Sequence, residues 1–133
     1  MKARALSLAG VAGACMALAA RAFAVQTVVS LTFDDGFSDH LIAQRLLDQR
    51  GFKGTFYIIT GYVERGYSRY LSGNDVLRIG AAGHEIAGHT VNHPDLTTLT
   101  TGQMSQEICG SRQALLNMGF NPVSFAYPFG AHN

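Results

Sequence analysis

Two aspartates, Asp34 and Asp35, stand side by side in LTFDDGFSDH (residues 31–40), directly after a β-branched and apolar run. Adjacent carboxylates repel each other unless a cation or a proton divides the work between them. Further along, GHTVNHP (residues 88–94) carries His89 and His93 four positions apart. One turn of coil there would aim both imidazoles the same way. An HxxxH spacing alone is a weak signal, and an Asp pair alone reads most simply as a turn or helix cap. Together they are more specific: one carboxylate and two imidazoles form the donor set of a catalytic zinc with a fourth position open to water. Such an ion polarises a carbonyl and acidifies water. The second aspartate is then free to act as general base, so that one carboxylate holds the cation and its neighbour takes the proton.

For these groups to meet, they must sit at neighbouring ends of one scaffold, and the hydrophobic periodicity supplies it. Val25 to Phe33 is rich in Val and Thr and predicts a buried strand. His40 to Arg50 pairs Ile42 with Leu46 and Ala43 with Leu47 at helical spacing, and Gly51 supplies a stop. Thr55 to Thr60 predicts a second strand, followed by a glycine- and tyrosine-rich loop and a short helix around Asn74 to Ile79 capped by Ser72. Gly83 to Gly88 predicts a third strand. From Thr101 to Met118 a helix with Met104, Ile108 and Leu115 on one face runs to Gly119, and Val123 to Ala126 opens a fourth strand. Strands that alternate with helices indicate an α/β fold of βαβ units on a parallel sheet. Reactive residues of such folds collect at the C-terminal ends of the strands, where both motifs fall.

The first 24 residues read differently. Lys2 and Arg4 precede an apolar stretch from Ala5 to about Ala20, and Ala22-Phe23-Ala24 has the A-x-A form of a secretory cleavage site. Arg21 interrupts the run too early for a membrane span, which needs about 20 apolar residues. The expectation is a signal peptide at 1–24, cleaved after Ala24, with a secreted or periplasmic domain at 25–133; a lipoprotein signal at Cys15 is the minor alternative. The formal charge of the whole chain is +1. Removing Lys2, Arg4 and Arg21 makes the remainder mildly acidic. With no basic cluster to neutralise phosphates, a nucleic-acid partner is not expected. Cys109 alone survives cleavage, so no internal disulfide is expected, and its place in a helical pattern suggests a small buried hydrophobe.

The motifs in order resemble the polysaccharide deacetylases, carbohydrate esterase family four. TFDDG (Thr32 to Gly36) and HTVNHP (His89 to Pro94) match the family's first two motifs in full, and GHEIAGH leads into the second as the family's run does. The resemblance implies a partial (β/α) barrel of three to four βα units, with Asp34 as catalytic base and Asp35, His89 and His93 as ligands to one divalent metal ion. Zn2+ is the first choice, with Co2+ or Ni2+ also suited to the set. It further implies removal of N-acetyl groups from an N-acetylglucosamine-type polysaccharide. FAYPFG (residues 125–130) matches the third motif in part: Ala126 replaces the arginine that orients the base in many members, while Phe129 would offer its backbone N–H to the developing oxyanion.

The chain stops at Asn133, before two further family motifs that include a general-acid histidine, and His132 does not match that histidine. The expectation is therefore the N-terminal portion of the domain, whose incomplete sheet would leave an apolar edge exposed. Two other readings stand beside deacetylation: an inactive remnant that binds metal or glycan, and an O-acetyl esterase acting on xylan. No stable membrane span is expected, and the oligomeric state is not legible. His84 and His40 read as structural histidines. Tyr57, Tyr62, Tyr67 and Tyr70 lie beside strands, where aromatics are more often core than sugar platform.

Overall fold

A computed structural model describes residues 27–132. The signal peptide and lipoprotein expectations lie outside the described residues. Three parallel strands, β1 (Thr32–Phe33), β2 (Thr55–Ile58) and β3 (Glu85–Gly88), form a sheet in the order β1-β2-β3. Between and after them run α1 (His40–Asp48), α2 (Thr60–Glu64), α3 (Gly73–Ala81) and α4 (Thr101–Asn117). The register sets Phe33 beside Phe56 and Phe56 beside Ile86. These residues and Ile58 face the helices, where Leu47, Val76, Ile79 and Leu115 close over them as one core. Full burial of each such side chain contributes about 1.5–3 kcal/mol.

The opposite face of the sheet is more polar. Thr55 donates its hydroxyl to Glu85 at 2.7 Å, and Ser124 donates to the other oxygen of the same carboxylate at 2.6 Å. Glu85 thus ties β2, β3 and the segment beyond α4 together. At the N-terminal end of the strands, His84 Nδ1 accepts from the Gly54 N–H at 3.1 Å, and its Nε2 lies 3.2 Å from Asp48. His84 is the buried structural histidine that its position suggests.

The helix limits follow local chemistry. Ser72 and Asp75 form a reciprocal capping box at the start of α3, and Thr100 and Gln103 form another at the start of α4. Gly51 and Gly119, at φ of 69° and 90°, end α1 and α4 in a conformation that a side chain disfavours.

Several expectations need correction. Residues 27–30 do not join the ladder and Leu31 contributes only its carbonyl, which accepts from the Thr55 N–H at 2.9 Å, so the first strand contracts to Thr32–Phe33. No further strand pairs along its outer edge among the described residues, and Val28, Val29 and Leu31 stand 81%, 76% and 41% exposed. The predicted fourth strand is a single parallel bridge, Gly88 to Phe125, in a segment bounded by Pro122 and Pro128. Thr60, expected to close the second strand, instead begins α2, a five-residue helix unheralded by periodicity. Cys109 is exposed, since it lies off the face of α4 that carries Ser111 and Leu115 inward. Tyr62, Tyr67 and Tyr70 lie outside the core and form an aromatic cluster with Phe37 above the strand ends.

Candidate active site

β1 ends at Phe33, and the chain turns sharply through Asp35 and Gly36, both at positive φ (72° and 73°). Aspartate tolerates that conformation better than most side chains, and glycine adopts it freely. A Cβ on Gly36 would also press on Ile58 at 3.2 Å. The turn is fastened to the loop before α3: Leu71 N–H donates to the Gly36 carbonyl at 2.8 Å and Ser38 N–H to the Arg69 carbonyl at 3.0 Å. Asp34 is exposed, and no side-chain hydrogen bond engages its carboxylate among the described residues.

His89 follows β3 directly and is nearly fully buried. Its Nδ1 donates to the Ala126 carbonyl at 2.8 Å, which fixes the tautomer and leaves Nε2 with a lone pair. Ala126 therefore acts through its main chain. That use puts no demand on its side chain.

The two histidines do come together, though not through a helical turn. Thr90 and His93 take positive φ, 64° and 60°, so the chain between them doubles back as a loop. The Thr90 hydroxyl is the pin: it accepts from the His93 N–H at 2.9 Å and donates to the His89 carbonyl at 2.5 Å. As a result His93 Nε2 lies 3.0 Å from His89 Nε2, and both lie 3.2 Å from Asp35 Oδ1.

Three donor atoms at these spacings suit a cation. Ligands at 2.0–2.1 Å around a tetrahedral zinc stand about 3.4 Å apart, close to the separations observed. The tautomer of His89 and the acceptor character of a carboxylate fit the same purpose. Burial, reinforced by His89, lowers the His93 imidazole below its ordinary pKa against the opposing pull of Asp35 and Asp34, which favours the neutral, ligating form. Asp35, His89 and His93 thus form a candidate metal centre, the set that the motif resemblance implies.

Phe129 closes the remaining side. Its ring meets His93 edge to face at 4.7 Å between centroids. Its backbone is at φ 59°, and its N–H donates to no protein acceptor among the described residues, whereas Gly130 and Ala131 N–H groups are both engaged.

Other contributors gave little sequence signal. Glu107, on α4, accepts from the N–H groups of Val91 and Asn92 at 3.0 and 2.8 Å and from the Asn92 side chain at 2.7 Å. Gly61, on α2, donates to the Val91 carbonyl at 3.0 Å. Both hold the loop that joins the two histidines. His40 packs among Phe33, Phe37 and Phe56, and burial lowers its pKa against the opposing influence of Asp39, Asp35 and Asp34.

Residues 24–133 match the family model described as polysaccharide deacetylase. Among curated proteins, the chain is 33% identical over 91 residues to a chitooligosaccharide deacetylase of Rhizobium leguminosarum bv. trifolii, covering 67% of this chain and 40% of that one. It is 30% identical over 107 residues to a putative polysaccharide deacetylase, YxkH, of Bacillus subtilis, covering 79% of this chain and 38% of the relative. Among solved structures, the Streptococcus pyogenes deacetylase PplD in complex with acetate superposes with a TM-score of 0.78 at 33% identity, over 81% of this chain and 49% of that one. The chain therefore spans about half or less of the length of these relatives. Its three-stranded parallel sheet with flanking helices corresponds to part of a β/α barrel.

Proposed function

The chain belongs to the polysaccharide deacetylase family, and on that premise we propose that it carries the metal-binding and base-bearing part of an exported hydrolase that removes N-acetyl groups from an N-acetylglucosamine-type polysaccharide. The observation that carries this reading is the convergence of Asp35, His89 and His93 at 3.0–3.2 Å beside a second, unengaged aspartate. Asp35, His89 and His93 would hold one divalent ion, and zinc, cobalt and nickel all suit this donor set. Such an ion supplies Lewis acidity toward the acetyl carbonyl and toward water.

The chain's own residues would then carry the attack on the acetyl carbonyl, while cleavage of the C–N bond needs in addition a proton for the departing amine. Asp34, exposed at the end of β1, takes the proton of the attacking water. The Phe129 N–H receives negative charge as it develops on the acetyl oxygen, a task that needs a fixed donor and no particular side chain. The Ala126 carbonyl keeps the His89 ring in register, the supporting interaction common around metal-bound imidazoles. Export would follow from cleavage after Ala24. No helix among the described residues is long and apolar enough to cross a membrane.

The test is acetate release from N-acetylglucosamine oligomers by the complete enzyme, freed of metal and then supplied with zinc, with acetylated xylan as the comparison substrate. Zinc-dependent acetate release from the amino-sugar oligomer is the expected result. Zinc binding without release from either substrate would support a non-catalytic binding role instead, and release from xylan alone would reassign the bond as an ester.

A further inference from the structure

The loop between His89 and His93 has an unusual support. Val91 and Asn92 present consecutive main-chain N–H groups to the same atom, Glu107 Oε2, at 3.0 and 2.8 Å. The other oxygen, Oε1, accepts from the Asn92 side-chain amide at 2.7 Å. Consecutive N–H groups that converge in this way form an anion-binding concavity. Here the anion is the protein's own, delivered from the second turn of α4. Three donors on two oxygens require an acceptor-only group; a glutamine in the same place would turn an NH2 toward one of them.

The loop held in this way is the one that needs holding. Thr90 and His93, on either side of Val91 and Asn92, both take positive φ, a conformation that non-glycine residues keep only when their surroundings over-determine it. Val91 is seated between two helices through glycines: a Cβ on Gly61 would stand 2.6 Å from the Val91 carbonyl oxygen, and one on Gly110 would stand 3.1 Å from a Val91 methyl. Those contacts restrain the loop sterically. Glu107 is the charged, directional member of the set.

We infer that Glu107 is a positioning residue for the metal centre: its carboxylate fixes the Val91–Asn92 main chain and so sets the separation of His89 and His93 without touching the ion. The inference rests on the metal-binding reading of Asp35, His89 and His93. Supporting groups of this kind typically change metal affinity by about 10–100-fold when altered.

The experiment compares the full chain with Glu107→Gln and Glu107→Asp. Zinc affinity is measured by competition with a chromophoric chelator, together with the Co2+ absorption spectrum, the melting temperature of the metal-free protein and the exchange rates of the Val91 and Asn92 amides. The expected result for Glu107→Gln is a zinc affinity lower by at least about 10-fold, an altered Co2+ spectrum, and faster exchange at Val91 and Asn92 against unchanged exchange in β2 and β3. Glu107→Asp keeps the charge on a stem one methylene shorter and should show the same changes, to a smaller degree; it decides the matter if the glutamine variant does not fold. Unchanged zinc affinity and Co2+ spectrum in a folded variant would overturn the inference, even if the melting temperature fell, because that pattern is a structural role alone. If the parent chain bound no zinc, the metal reading would fail and the inference with it; amide exchange would then report separately whether Glu107 orders the loop.

Discussion

Gly61→Ala tests the idea that the histidine loop is braced from behind. Gly61 is the second residue of α2, and its added Cβ would lie 2.6 Å from the Val91 carbonyl oxygen, 3.0 Å from a Val91 methyl and 3.0 Å from the Arg65 guanidinium. The arginine can swing aside. The carbonyl cannot, because it belongs to the loop main chain and accepts the Gly61 N–H. Carbon and carbonyl oxygen settle near 3.3 Å at closest, so the loop or α2 must yield by roughly 0.7 Å. Overpacking of this kind costs about 1–3 kcal/mol, while alanine in place of glycine inside a helix returns up to about 1 kcal/mol. The net expectation is a loss of about 1–2 kcal/mol, or some 4–15 °C in melting temperature for a domain of this size. Because the strain falls between His89 and His93, zinc affinity should drop by about 10-fold or more. Calorimetric melting of the metal-free protein and zinc titration read the two effects separately. A variant that melts at or above the parent and binds zinc equally well would refute the reasoning, since the loop would then be free to move without consequence.

Asp34→Asn should leave zinc affinity within about threefold of the parent while acetate release by the complete enzyme falls by at least about 100-fold, the scale of a lost general base; full activity would remove Asp34 from that role. His93→Ala should weaken zinc binding far more than it lowers the melting temperature of the metal-free chain, as paired titration and melting would show. Leu115→Ala, at a site with no exposure, should cost about 2–5 kcal/mol in denaturant unfolding. Asp75 gives a pH test. The Ser72 hydroxyl, opposed by burial and assisted by the Ser72 N–H and Arg78, holds its carboxyl below the usual range. A carboxyl so depressed stabilises the fold fully above its unfolded value near 3.9 and loses that contribution as pH falls through the lower folded value. The stability gap between parent and Asp75→Asn should therefore be open at pH 6 and close progressively below about pH 4.

What the sequence revealed of this molecule divides along physical lines. One aspartate of the Asp34–Asp35 pair together with His89 and His93 was identifiable because ligating atoms belong to few side-chain types, and strand ends gather them; the choice of Asp35 as the ligand came from the motif resemblance alone. Ser72 and Gly51 were equally plain, since capping and left-handed termination are local chemistry. The route by which the histidines meet was not. A four-residue spacing suggests a helical turn, and the structure uses a loop with Thr90 and His93 at positive φ, a choice imposed by Gly61, Thr90 and Glu107 from three parts of the chain. The contact of the Ala126 carbonyl with His89 was invisible for the same reason, since every residue has a carbonyl; the Phe129 N–H was singled out only through the motif resemblance, because no side-chain type marks a main-chain donor. Short strands were overextended because β-propensity at Val28 and Val29 persists where no neighbouring strand pairs with them.

The four non-glycine residues with positive φ among the described residues are Asp35, Thr90, His93 and Phe129, and all four belong to the site. Each departs from the backbone conformation its side chain prefers, at about 1–3 kcal/mol apiece for strained positions of this kind. Selection for stability alone would therefore favour glycine or asparagine at several of these positions. Stabilising substitutions found there without regard to metal binding would be expected to sit where the chemistry is carried, so a screen for thermal tolerance and a screen for zinc retention should enrich opposite residues at the same few positions.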